Sequence, residues 1–431
     1  MKLEKIGTAD RMMFYISSSD ENSYVNQANL SLREEIRPEE FKKAVGIALK
    51  TFRNFKMRLV VEDEILYYTE HDAELPVFPQ EDKVYRLGTE DTNRYMFRIS
   101  YEQNKFTLSY FHGTSDAIGA SMFIATILDE YYKLIDPQYA KEHLQSVVET
   151  MNIVDIEDPF AEFAAHKLLP LSLPNTRKVF SIQGKVAESQ SYNAKKYVLS
   201  VPQKQVYAFA KEHKTTPVAF FMAALASAIG RSHDVGKKEH IVCMLPANLR
   251  TVYSANVCRN FSHVVTLPFK KEYEKLSFEE QCINMRAELK ALTSKKAMSK
   301  TLQQQVMIAN FLENNKKPLI ERSRQMLRAF MEGADSMCTY EVSYLGTIAL
   351  PDGLKERVES ISYSHRGCSG FPWILIYTDN DQMHMEFINY TGDTKLFDSL
   401  SEVLKEQGCD SELGLSELAI LDKFVLADVI E

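Results

Sequence analysis

Between residues 96 and 134, two aromatic and β-branched arms, a short turn of small residues and a long apolar segment follow one another without a break. Met96-Phe97-Arg98-Ile99-Ser100-Tyr101 and Phe106-Thr107-Leu108-Ser109-Tyr110-Phe111 flank the polar Glu102-Gln103-Asn104-Lys105, which predicts a hairpin. His112 falls at the end of the second arm, and Gly113-Thr114-Ser115 makes a tight bend. Residues 117–134 then predict a helix that turns Ile118, Met122, Ala125 and Leu128 inward. Strand, turn and helix in that order belong to an α/β fold whose helices cover a sheet.

The alternation continues through both halves of the chain. Residues 24–32 predict a strand. Pro38-Glu39-Glu40 opens a helix, with proline in its first turn and acids at the positive end of the dipole. Phe41, Val45, Ala48, Leu49 and Phe52 share one face of it. Residues 57–61 and 65–68 pair as strands around Glu62-Asp63-Glu64. An irregular stretch follows, marked by Pro159, Pro170 and Pro174. Further strands are predicted at 195–201, 239–245, 339–345, 374–377 and 384–390. Helices are predicted at 202–213, from Thr216-Pro217 onward, and last at 395–406. The chain has 431 residues, and domains run to roughly 100–200. The expected division is an N-terminal subdomain at 1–165, a crossover at 166–190 and a C-terminal subdomain at 191–431.

A net charge of −8 argues against a general nucleic-acid binder, which needs a basic footprint. The six cysteines form no CxxC pair, so neither a zinc site nor a disulfide framework is expected. The first residues lack an apolar signal core, and no stretch approaches the roughly 18 apolar residues of a membrane span. A soluble, cytoplasmic protein is the expectation.

His112 and Asp116, in Phe111-His112-Gly113-Thr114-Ser115-Asp116, are the first candidates for chemistry. A histidine serves as general base near neutral pH because its unperturbed pKa is about 6.5. Asp116 comes four positions later, where the helix begins, and there it can cap the helix and lock the loop. The spacing also arises in a turn whose aspartate merely caps a helix. Pro246-Ala247-Asn248-Leu249-Arg250, with Arg259-Asn260-Phe261 beyond it, supplies an arginine for a buried aspartate. Ser343-Tyr344-Leu345-Gly346 closes a strand ahead of Pro351-Asp352-Gly353. Most other histidines lie in polar stretches and are expected in solvent; His263 and His384 are expected buried in strands. His365 is expected in a loop, where it could line a pocket. Lys295, Lys296 and Lys300 read either as a solvated helix face or as partners for phosphates.

These segments, in this order and together with Phe52-Arg53-Asn54-Phe55, resemble the HxxxD acyltransferase superfamily. That group includes chloramphenicol acetyltransferases, plant BAHD acyltransferases, peptide-synthetase condensation domains and bacterial alcohol acetyltransferases, and the chain is most similar to the last. The resemblance covers nearly the whole sequence. It implies an α/β fold of two chloramphenicol acetyltransferase-like subdomains. Each would be a mixed, mainly antiparallel sheet with helices, and the two would form a V around an interdomain tunnel. It implies His112 as the general base, and Asp116 pointing away to pair with Arg250. Gly113, Thr114, Ser115, Ser343, Tyr344 and Gly346 would stand along the tunnel, with Ser343 and Tyr344 as candidate oxyanion donors. The implied donor is a coenzyme A thioester used as substrate, and the acceptor a small alcohol or amine. No metal and no permanently bound cofactor are implied. Three positions depart from the pattern: Ala117 where glycine is usual, Phe111 where condensation domains carry a second histidine, and Tyr344 where relatives carry asparagine. A condensation-type enzyme using a carrier-protein thioester, and a non-catalytic binding protein that keeps the fold, are the alternatives. Phe111 and the lack of an appended carrier or adenylation region count against the former.

Overall fold

In the computed structural model the structure is described for residues 2–164, 178–182, 195–348, 350–365, 372–389, 394–416 and 422–430. Most of the crossover expected at 166–190, including Pro170 and Pro174, lies outside the described residues; 178–182 lie within them.

The fold is α/β, built as two units of mixed sheet and helices. The first centres on a five-stranded sheet ordered Val358–His365, Val25–Leu32, Lys105–Phe111, Phe97–Glu102, Val77–Pro79. All its neighbours are antiparallel except the last pair. The predicted hairpin forms its middle, and the helix Ala117–Ile135 follows within a few residues. That helix begins where the Asp116 side chain accepts from the Gly119 N–H. It ends at Asp136, which caps the next helix while Pro137 fills that helix's first turn. Met122, Ala125 and Leu128 are buried against Phe41, Val45, Phe52 and the inner face of the hairpin. Helix Pro38–Ala48 contributes the face expected of it.

The second unit is an eight-stranded mixed sheet. Its main path runs Ser262–Phe269, Glu239–Asn248, Tyr340–Thr347, Trp373–Asp379, Gln382–Asn389, Lys195–Pro202, Glu412–Ser416. Helices Pro217–Ser232 and Lys395–Glu406 pack on it through Phe220, Leu225, Leu400 and Leu404. Thr216 caps the first of these, accepting from the Ala219 N–H. No described helix is long and apolar enough to cross a membrane.

Several elements go beyond the sequence expectations. The helix Lys395–Glu406 is not the last element, because Glu412–Ser416 and Leu426–Ile430 follow it. Strand Val358–His365 belongs to the first unit's sheet, where it pairs with Val25–Leu32. The segment that begins at Asp422 also returns to the first unit. Arg98 donates from Nε and Nη2 to the Asp422 carboxylate at 3.0 and 3.2 Å. Both partners are almost fully buried, so their charges are compensated by each other rather than by water. Phe424 stacks on Phe111 with ring centroids 3.9 Å apart.

Phe111 immediately precedes His112, so Phe424 holds the strand end that carries the histidine. Phe424→Ala is expected to cost about 3–5 kcal/mol through the cavity it leaves, read as a lower urea midpoint. Hydrogen exchange at the His112 and Thr114 amides should quicken with it.

Candidate active site

The turn after Phe111 is fixed by its own backbone and from both halves of the chain. The His112 N–H donates to Tyr24 O at 2.8 Å, and the Thr114 N–H to Phe111 O at 2.9 Å. Gly113 is required by close approach, since a Cβ there would lie 2.3 Å from the Phe111 ring. Asn54 Nδ2 donates to Thr114 O at 2.9 Å, and Ser115 Oγ donates to Cys258 O at 2.9 Å. Thr114 and Ser115 are therefore buried as anchors of the turn.

His112 Nδ1 faces the Ser115 carbonyl oxygen at 3.2 Å. A carbonyl only accepts, so this contact, closer than the 3.5 Å approach of Asn260 Nδ2 to the same nitrogen, favours the proton on Nδ1 and the lone pair on Nε2. Asn260 Nδ2 donates to His112 O at 3.2 Å and steadies the residue from the second unit.

Asp116 turns away from the imidazole. Its Oδ1 accepts from the Gly119 N–H at 2.9 Å. Its Oδ2 accepts from Arg250 Nη1 and from the Phe261 N–H, each at 2.8 Å. Burial alone would raise the Asp116 pKa. The Arg250 charge and hydrogen bond, with those of the two backbone donors, outweigh it and hold the carboxyl below its ordinary value. Arg250 spends its other donors on Val257 O at 2.8 Å and Arg259 O at 2.7 Å. The departure at Ala117 has a local counterpart in Gly119. A Cβ at Gly119 would meet Cys258 O at 2.2 Å and Ser115 Oγ at 2.3 Å, so the tight packing falls two residues after Asp116.

Between the two sheets lies a cavity of about 200 Å³. Asn26, Gln27, Tyr110, His112, Ala117, Ile118 and His365 border it from the first unit's side. Asn248, Ser262, Glu341, Ser343, Trp373 and Leu375 border it from the second. An apolar recess of about 80 Å³ shares Ala117, Ile118, Leu345 and Tyr363 with it and adds Met122, Met151 and Ile348.

Of the residues expected along a tunnel, Ser343 and Tyr344 line this cavity. Gly113, Thr114, Ser115 and Gly346 are not part of its wall. The first three are held in the buried turn, and Gly346 lies past a register shift, where its strand resumes pairing opposite Tyr377. Strand alternation separates Ser343 from Tyr344. Val342 and Tyr344 pack with the large sheet's core, whereas Glu341 and Ser343 take the other face. Tyr344 also interacts with Tyr207, and burial raises its phenol pKa.

Two cavity residues escaped sequence reasoning or were misplaced by it. His365 is the last residue of a strand rather than a loop residue. It is 6% exposed, and neither ring nitrogen has a hydrogen-bond partner among the described residues. Burial, with the nearby His112 and Lys196, pushes its pKa down to about 3. Glu341 is 4% exposed, and burial pushes its carboxyl up to about 8. Its sequence signal is a single acid in a strand whose alternate residues Tyr340, Val342 and Tyr344 pack with the core.

The other histidines divide. His263 Nδ1 donates to Gln305 Oε1 at 2.7 Å, and His384 Nδ1 shares a 2.9 Å bond with Ser200 Oγ; both lie in strands as expected, but each is only partly buried rather than buried. His71 is not free in solvent: it packs on Tyr95, and burial, with the Arg58 charge, lowers its pKa to about 4. Lys295, Lys296 and Lys300 are exposed on helix Lys295–Asn314, outside the cavity wall.

No protein-family profile matches the chain, and no curated protein matches it. Solved structures do. Trichothecene 15-O-acetyltransferase from Fusarium sporotrichioides is 14% identical, with a TM-score of 0.62 over 94% of each chain. The condensation domain of the monacolin K polyketide synthase MokA is 12% identical, with a TM-score of 0.62 over 94% of this chain and 97% of that one. The F. sporotrichioides protein TRI101, solved with coenzyme A and T-2, is 8% identical, with a TM-score of 0.59 over 95% of this chain and 100% of its own. At these identities the likeness is one of fold: the chain shares the two-unit α/β architecture of these three structures.

Asp116→Ala should cost about 3–5 kcal/mol at neutral pH, because it leaves the Arg250 guanidinium buried and uncompensated. Replacing both residues, as Asp116→Leu with Arg250→Met, should recover part of that loss. The Asp116 pKa is depressed by folding, so its contribution is present above the ordinary carboxylate range and fades as pH falls through the folded value. The gap between wild type and Asp116→Ala should therefore narrow below about pH 4 in urea titrations.

Proposed function

We propose that this chain is an acyltransferase that moves an acyl group, acetyl in the simplest case, from a coenzyme A thioester to a hydroxyl or amine of a small acceptor. The observation that carries this reading is His112, with Nδ1 directed to the Ser115 carbonyl, at the wall of a cavity between the two sheets. The trichothecene acetyltransferase that shares the fold, and TRI101, which shares it and was solved with coenzyme A, support the choice of donor.

In this mechanism Nε2 of His112 takes the acceptor's proton as its oxygen or nitrogen attacks the thioester carbonyl. The new bond forms, and the carbonyl electrons move onto oxygen. The oxyanion then collapses, the C–S bond breaks, and the departing thiolate takes the proton from the imidazolium. General-base assistance of this kind is worth ~10²–10⁴-fold, and holding both substrates in one cavity adds to it. Asp116 transfers no proton; it fixes the loop. Ser343, whose face of the strand also carries Glu341, is the better candidate to donate to the oxyanion, because Tyr344 packs with the core. The apolar recess gives the acyl chain room, so the donor panel should extend beyond acetyl.

Condensation on a carrier-protein thioester would use the same base. It is the weaker reading here, because Phe111 is fully buried against Phe424 and serves packing rather than acid–base chemistry.

The test is thiol release from acetyl-coenzyme A and longer acyl-coenzyme A donors with a panel of alcohols and amines. His112→Ala should lower the rate by about 10²-fold or more while far-UV circular dichroism and the unfolding midpoint stay at wild-type values. Full retention of transfer in that variant would overturn the proposal. Binding without turnover for every donor and acceptor would favour a non-catalytic role.

A further inference from the structure

Glu341 has no part in the chemistry above, yet it is a carboxyl in the wall of the same cavity. Its strand lies between Glu239–Asn248 and Trp373–Asp379, and in that register Glu341 sits beside Trp373 on the neighbouring parallel strand. Ser343 and Leu375 repeat the pairing two residues further on, and all four border the cavity. Glu341 and Trp373 thus form one side-by-side patch. The His365 ring packs against Trp373 at 5.0 Å between centroids.

The charges in the cavity wall do not cancel. Asp116 and Arg250 neutralise each other at 2.8 Å. Glu341 has no cationic or hydrogen-bonding side-chain partner among the described residues, and burial is the one cause acting on its pKa. A buried carboxyl without a counter-charge is costly to ionise, and a cation brought beside it removes that cost. His365, whose ring nitrogens have no hydrogen-bond partner among the described residues, offers a lone pair as a second acceptor. Of the aromatic side chains, indole attracts a cation most strongly. A carboxyl, an accepting imidazole and an indole form a recognition set for an ammonium group.

We propose that the acceptor carries a cationic ammonium group besides its nucleophile, and that Glu341 holds this group against Trp373 and His365. The proposal rests on the acyltransferase reading for the word acceptor, but the binding site itself stands on the cavity. It specifies a substrate class, amino alcohols or diamines, in which one group is held as a cation while another meets His112. Carboxylates and neutral alcohols of equal size are disfavoured.

Trp373 is the single tryptophan of the chain, so its fluorescence reports cavity occupancy with no donor present. The probes are dimethylaminopropanol, protonated at neutral pH, and the alcohol of the same shape in which CH replaces the ammonium NH. The wild-type protein should bind the ammonium compound tighter by roughly tenfold or more. Glu341→Gln should reduce that ratio to near one, and Glu341→Asp should keep most of it. Equal or weaker binding of the ammonium compound by wild type overturns the proposal, whether or not any variant folds. So does an undiminished preference in folded Glu341→Gln. The two ideas fail separately: transfer that survives His112→Ala removes the catalytic reading and leaves the ammonium preference intact. Loss of the preference leaves the His112 result intact.

Discussion

The Asp116 carboxylate is the point at which the two halves of the chain are joined at the site. It caps the helix Ala117–Ile135 through Gly119, and it receives Arg250 and the Phe261 amide from the second unit. One buried anion thereby fixes a helix start, a strand end and an arginine whose remaining donors tie down two further carbonyls. Such an anchor is worth little as net stability, because desolvation offsets most of its attraction. Its value is geometric. The imidazole four residues earlier stands on a turn that cannot shift without stranding either charge.

That arrangement also explains why the base and the aspartate are not partners. Asp116 has satisfied its oxygens with donors from Arg250, Gly119 and Phe261, while His112 Nδ1 looks to the Ser115 carbonyl. A neutral carbonyl orients the ring without the strong pull that an adjacent carboxylate exerts on an imidazolium. The turn therefore sets which nitrogen is basic through backbone geometry. This in turn demands Gly113 and Gly119, where a methyl group would collide with Phe111 or with Cys258 and Ser115.

Much of this was legible in the sequence, because it is encoded locally. The hairpin, the helix after Asp116 and the Thr216-Pro217 helix start depend on residues within one or two turns of each other. What escaped depends on distant partners. Strand Val358–His365 carries no sign that its neighbour is Val25–Leu32, because pairing across the chain leaves no local period. His365 ends that strand, so its place too depends on a partner far away in sequence. Ser343 and Tyr344 are equivalent as neighbours in sequence and both reach the cavity, but strand alternation packs Tyr344 against the second unit's core and leaves Ser343 on the face that carries Glu341. Glu341 belongs to no motif, because a single acid within a strand has no local signature. Its significance comes from the wall it happens to face.

The loan of Val358–His365 to the first unit has a consequence for how the protein is made. Strand Val25–Leu32 has one neighbour in the hairpin, but its other edge waits for a partner encoded more than 300 residues downstream. At roughly 5–20 residues per second, that edge stays open for about a quarter of a minute to a minute on the ribosome. An unpaired strand edge is a template for the wrong neighbour. The nascent first half is therefore the aggregation-sensitive species of this protein. Slowing synthesis of the second half, or truncating before residue 358, prolongs the period in which a chaperone must cover that edge.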